Sequence, residues 1–153
     1  MKLSLRGEYA LRALIVLGQN YGTGVVRIQT ISEEQNIPQG FLAQILNDLK
    51  SGHFVESRRG VAGGYRLARP PSEITLAPVI RHIEGALAPV SCVSEKFYKK
   101  CSCPNESICA IRSVMIDVRA AILEIVDRVS IADLCERSHL LSTQVTGGLD
   151  YAI

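Results

Sequence analysis

The chain has 153 residues, 47% of them apolar, and a formal net charge of +2. That is enough for one domain with an extension and a sizeable core, while the absence of Trp argues against an aromatic base-stacking platform. The small net charge hides an asymmetry: residues 1–70 carry nine Lys/Arg against five Asp/Glu, and residues 71–153 carry eight against ten, so the basic half is the one suited to phosphate contact.

The opening MKLSLRGEYALRALIVLG is apolar but interrupted by Arg6, Glu8 and Arg12. It reads as neither a signal peptide nor a membrane span, so a cytoplasmic protein with no membrane partner is expected. Ser4 is a candidate N-cap for a first helix reaching about Asn20, with Leu5, Tyr9, Leu11, Leu14 and Leu17 on its apolar face. Gly22-Thr23-Gly24 breaks it, and Val25-Val26-Arg27-Ile28 reads as a short edge strand. Thr30 and Glu33 fit a capping box for a second short helix over 30–35. Asn36-Ile37-Pro38 is a turn, with Ile37 expected to plug between two helices.

A third helix runs from Pro38 or Gln39 to about Ser51. Phe41, Leu42, Ile45, Leu46 and Leu49 recur at helical spacing, which leaves Gln39, Gln44, Asn47 and Lys50 outside. Amides pair bidentately with adenine, and a lysine reaches guanine or phosphate, so this outer face suits a major groove. Gly52 is expected to end the helix as a left-handed cap. Residues 54–57 and 65–67 read as two strands around Arg58-Arg59-Gly60-Val61-Ala62-Gly63-Gly64. Gly60, Gly63 and Gly64 permit positive φ and close approach, and Arg58 and Arg59 can sit on phosphates or enter a narrow minor groove. The GxxGG pattern lacks the lysine and following helix of a phosphate-binding loop. A helix, a turn, a second helix and a basic hairpin make a winged helix-turn-helix, whose partner is double-stranded DNA.

Thr75 is placed to cap a helix over about 76–84, ended by Gly85. Residues 86–107 lack periodicity and hold most of the cysteines. A long helix is expected over 108–129, with Ile111, Val114, Met115, Val118, Ala121, Ile122, Ile125, Val126 and Val129 at 3-and-4 spacing, the pattern of a dimer interface that can also pack within the chain. Residues 130–134 read as a short terminal helix, and residues from His139 onward as a polar tail. The expected division is therefore a DNA-binding head (1–85), a cysteine-rich loop (86–107), a dimerisation helix with a short terminal helix (108–137) and a tail (138–153). The fold class is mainly α with a small β-hairpin. No nucleophile–base pair stands out, so an enzyme is not expected.

Four cysteines follow the spacing Cys92-x8-Cys101-x-Cys103-x5-Cys109. In a reducing compartment such a group reads as ligands or redox sensors rather than disulfides. Thiolates serve iron–sulfur clusters and structural zinc, but the paired CxxC knuckles of a zinc ribbon are missing. Cys135 reads as a buried apolar residue.

With these pieces placed, the chain resembles the winged-helix regulator family that includes IscR, NsrR and CymR, over about residues 1–137. The most specific parts are MKLSLRGEYALRAL, ISEEQNIPQGFLAQILNDLKSGHFVESRRGVAGGYRLARP and VSIADL. The resemblance implies a homodimeric repressor on a palindromic operator, controlled by a [2Fe–2S] or [4Fe–4S] cluster that senses redox state, nitric oxide or iron–sulfur status. It implies Cys92, Cys103 and Cys109 as ligands, with Cys101 as a substitute or a spare thiol. Arg112 stands where some members place a ligating histidine. Glu8 stands where others contribute a carboxylate from the second subunit; read from the sequence alone it is an exposed partner of Arg12 at i+4. Zinc or thiol-switch control, and control by a bound partner enzyme, are the alternatives.

Overall fold

In the computed structural model, which describes residues 3–147, the first helix forms where the cap and the apolar spacing agree. Ser4 Oγ accepts the Gly7 N–H at 3.1 Å, and α1 runs Leu5–Gln19 with Ala10, Ala13, Leu14, Val16 and Leu17 buried. The helix α2 spans Ile28–Gln35 and α3 spans Gln39–Ser51. Between them Asn36 takes a left-handed conformation, and Ile37 is 2% exposed in the core beside Ile31, Leu42, Ile45, Leu46 and Leu49. Phe41 lies at the margin of that core, edge-on to Tyr9.

Three expectations fail here. No strand covers residues 25–28: Val26 makes one isolated bridge to Tyr65, and Ile28 already belongs to α2. Thr30 therefore lies inside the helix, and the cap is Arg27, which gives no side-chain hydrogen bond. Gly52 caps α3 at φ −83°, and the left-handed residue is His53 at φ 58°. Glycine is needed at 52 for space: a Cβ there would meet the Phe54 ring at 2.6 Å and the His82 ring at 2.9 Å.

The strands β1 (Val55–Arg58) and β2 (Gly64–Leu67) pair antiparallel, with Val55 opposite Leu67 and Arg58 opposite Gly64. Phe54, Val55 and Leu67 face the core, which fixes the hairpin register. The helix α4 (Leu76–Glu84) ends at Gly85, φ 86°. Thr75 precedes it without a side-chain cap bond. The cysteine loop leads to α5 (Ala110–Arg128), whose Val126 packs with Ala77, Ile80 and Leu87 in a second small core. The helix α6 spans Ile131–Gly147 and is anchored by Ile131, which is fully buried with α1 and Ile74. The expected tail is thus corrected as far as residue 147, and residues 148–153 lie outside the described residues. Among the described residues no helix is long and apolar enough to cross a membrane.

Candidate nucleic-acid interface and cysteine loop

The core that buries one face of α3 leaves Gln39, Gln44, Asn47 and Lys50 exposed on the other. Asn47 and Lys50 line one open groove of about 520 Å³ with Arg58, Arg59, Gly60, Gly63 and Gly64. Gln39 and Gln44 are exposed on the same helix outside that groove. Arg27, the cap of α2, and Gln29 in its first turn form the other wall; sequence reasoning missed them because it had assigned Arg27 to a strand.

The wing is held to this surface by backbone. Val26 and Tyr65 exchange two N–H···O bonds of 2.8 Å, and a Cβ on Gly64 would collide with the Val26 carbonyl. Gly60 turns the tip at φ 109°, and Gly63 donates its N–H to the Gly60 carbonyl at 2.9 Å. Arg66 is neutralised by Glu56 directly across the hairpin. Arg58 and Arg59 are exposed and form no ion pair among the described residues, so their charge is free for phosphate. Lys50 Nζ is held over β1 by Ser57 Oγ at 2.6 Å.

The cysteine loop sets its cysteines in a row: Cys101 Sγ meets the Cys103 N–H, Cys103 meets Cys109, and Arg112 bridges Cys109 to the Cys92 carbonyl. Cys92 is 8% exposed in a single turn over Ser91–Val93. Burial, and then the facing Cys101 thiol, push the Cys92 thiol above its ordinary pKa. Cys101 Sγ accepts the Cys103 N–H at 3.4 Å, and the Cys103 and Cys109 sulfurs are 3.7 Å apart. Cys109 caps α5 and accepts the Arg112 N–H at 3.4 Å. That bond, followed by the one to Cys103, lowers the Cys109 pKa, while Cys103, bonded to Cys101 and Cys109, is pushed up to about 12.

Glu106, which sequence reasoning missed, anchors the row. It accepts the Cys101 N–H at 3.1 Å, the Cys101 thiol at 3.4 Å and the Tyr98 hydroxyl at 2.8 Å. The Tyr98 hydroxyl first, and then the Cys101 N–H, hold its carboxyl below the usual range. Within its own chain the Glu8 carboxylate pairs with Arg12 at 3.3 Å. Cys135 is half-buried against α1 and donates to the Ile15 carbonyl at 3.5 Å.

Among the described residues, no three His, Cys, Asp or Glu side chains surround one metal position. The thiols instead form a row along a loop ending at a helix N-terminus. Soft donors spread in this way suit a group that shares its thiolates among several irons better than a single zinc ion, which needs four ligands about one point.

The helix α4 meets the end of α3 directly and reaches the cysteine loop through α5. His82 Nε2 lies 2.7 Å from the Asp48 carbonyl and 3.2 Å from Ser51 Oγ, at the C-terminal end of α3. Glu84 accepts the Ser4 N–H at 3.1 Å and the Ser4 hydroxyl at 2.5 Å, at the start of α1. Arg81 pairs with Asp127 of α5, and Arg119 of α5 pairs with Glu95 of the cysteine loop. Arg112 Nε reaches the Cys92 carbonyl at 3.3 Å.

Comparison with known proteins bears on both regions. Residues 3–137 match the Rrf2 family, described as an iron-dependent transcriptional regulator. The HTH-type transcriptional regulator CymR of Bacillus subtilis is 31% identical over 134 residues, covering 88% of this chain and 89% of its own. NsrR of Bacillus licheniformis, also an HTH-type transcriptional regulator, is 31% identical over 134 residues, covering 88% of this chain and 92% of its own. Among solved structures, that of CymR, the global cysteine regulator of B. subtilis, superposes with a TM-score of 0.77 at 30% identity, covering 90% of this chain and 98% of its own. The structure of T. potens IscR gives a TM-score of 0.71 at 28% identity, covering 90% of this chain and 88% of its own.

Proposed function

This chain belongs to the Rrf2 family of transcriptional regulators, and from that premise we propose that it is a cytoplasmic, homodimeric repressor whose affinity for a palindromic operator is set by an iron–sulfur cluster in the cysteine loop. The observation that carries this reading is that α5 and then α4 connect the thiol-bearing loop to the end of α3, the helix with the exposed amide face. Cys92, Cys103 and Cys109 would hold the cluster. When bound, it supplies a centre sensitive to redox state, nitric oxide and iron supply.

The remaining steps belong to the chain. Gln44 and Asn47 read base edges from α3, while Lys50, Arg58 and Arg59 fix the head on phosphates. Ile111, Val114, Val118, Ala121 and Ile125 form an exposed apolar stripe with alternating 3- and 4-residue steps on α5, the pattern of a coiled-coil seam, which supports pairing with a second copy. Two heads so joined must place their α3 helices about 34 Å apart to read successive half-sites. A shift in the loop moves α5 through Arg119–Glu95, then α4 through Arg81–Asp127, and His82 passes it to the end of α3.

The test is anaerobic purification with iron and sulfide analysis, followed by operator selection from random duplexes and binding before and after iron is removed. The expected result is iron and sulfide in stoichiometric amounts and operator affinity that changes at least about tenfold, a coupling of about 1.4 kcal/mol. Equal affinity in both states would contradict cluster control. A second reading, a thiol switch, has one supporting observation, the 3.7 Å approach of Cys103 to Cys109.

A further inference from the structure

We propose that Cys101 is the fourth thiolate of the cluster site, so that one chain supplies all four ligands and Glu8 of a second subunit supplies none. This rests on the cluster reading above and goes beyond it by naming the ligand set. Cys101 adjoins two of the other three thiols in sequence of contact: its sulfur accepts the Cys103 N–H at 3.4 Å, and the Cys103 sulfur lies 3.7 Å from that of Cys109. A spare thiol has no reason to take that place.

The backbone holds it there. The Cys101 N–H is fixed by Glu106, and Glu106 is fixed by the Tyr98 hydroxyl. On ligation the Cys101 thiol releases its proton to solvent and loses its own contact with Glu106. Glu106 keeps the Cys101 N–H and Tyr98, so the carboxylate remains satisfied without it. The charge of four thiolates is opposed by the first-turn amides of α5, one of which already bonds Cys109, and by the Arg112 guanidinium beside the Cys92 carbonyl.

Four cysteines are also the ordinary complement of both common cluster types. The Glu8 carboxylate has a separate role: it pairs with Arg12, which bonds the Gln35 side chain and carbonyl and lies over the Tyr9 ring. Glu8 thereby helps seat α1 on the end of α2. A ligand set complete within one chain also makes loading independent of dimer formation.

The experiment loads the full chain anaerobically with ferrous iron and sulfide. It then alkylates the chain with iodoacetamide and maps the labelled cysteines by mass spectrometry, alongside iron and sulfide content and the resonance Raman Fe–S bands of Glu8→Gln and Cys101→Ser. Protection of Cys92, Cys101, Cys103 and Cys109 together is expected, with E8Q unchanged in iron content and Fe–S bands. C101S is expected to lose most of its iron or to shift the bands. Far-UV circular dichroism checks the fold of C101S, and the wild-type footprint requires no variant. Labelling of Cys101 in the loaded protein as fast as in the iron-free protein, or loss of iron from E8Q, overturns the assignment and leaves the cluster reading standing. Failure of the wild type to retain iron and sulfide overturns both.

Discussion

The sulfur atoms of Cys103 and Cys109 lie 3.7 Å apart, with Cys109 at the first turn of α5 and Cys103 in the loop before it. A disulfide requires about 2.05 Å, so the pair must close further to bond. Iron-free protein treated with diamide should form this bond, with two thiol hydrogens passing to the reagent. Peptide mapping without reductant should recover the Cys103–Cys109 pair. Recovery of Cys92 joined to Cys101 in its place would show that the loop closes differently.

His82 is the contact by which α4 holds the end of α3. His82→Ala removes the bond to the Asp48 carbonyl and the edge-on contact with Phe54, whose ring centre is 5.7 Å away. The expected cost is about 1–2 kcal/mol of stability, read by chemical denaturation. The more specific outcome is that operator affinities with and without iron converge. A variant of lowered stability that keeps the full affinity ratio would show that coupling takes another route.

Arg59 and Gln44 should fail in different ways. Arg59 is exposed on the wing and meets no carboxylate among the described residues, so Arg59→Ala should weaken binding on every duplex and reduce the salt slope by about one. Gln44→Ala should cost about 1–3 kcal/mol on operators carrying its base and little on others. Fluorescence anisotropy across a salt series and a panel of single-base operator changes separates the two.

The start of α6 gives a pH dependence. Asp133 accepts the Ser130 hydroxyl at 2.6 Å and the Ser130 N–H at 2.7 Å, bonds that hold its carboxyl below the usual range, hydroxyl first. A depressed carboxylate stabilises the fold above its unfolded pKa of about 4, and that contribution drains away as pH falls through the folded value. Stability should therefore drop below about pH 4, and Asp133→Asn should flatten that part of the curve. Ser130→Ala should cost about 1 kcal/mol at neutral pH, because it removes the hydroxyl that meets the Asp133 N–H.

Local signals in the sequence carried α1, α3 and the hairpin. Ser4 caps α1, the Leu42–Leu49 spacing buries α3, and the glycines of the wing permit its turn. Residues 25–28 misled because β-branched side chains favour a strand, yet there is room for only one bridge, at Val26, before Ile28 enters α2. The length of α6 was hidden because its later residues are polar and show little periodicity; the helix is anchored at its start by docking on α1. His82 and Glu84 were illegible as functional groups for another reason. His82 meets a residue 34 positions away and Glu84 one 80 positions away. For Glu106 a local signal existed: it is the one carboxylate inside the run from Cys101 to Cys109.

The exchange of backbone bonds between Val26 and Tyr65 joins the wing and the segment leading into α2 into one block. Such a block cannot adjust its grip to the duplex, so any misfit must be taken up by the DNA. Operators should then be selected partly for how easily they bend or narrow beneath the wing, at base pairs that no side chain touches.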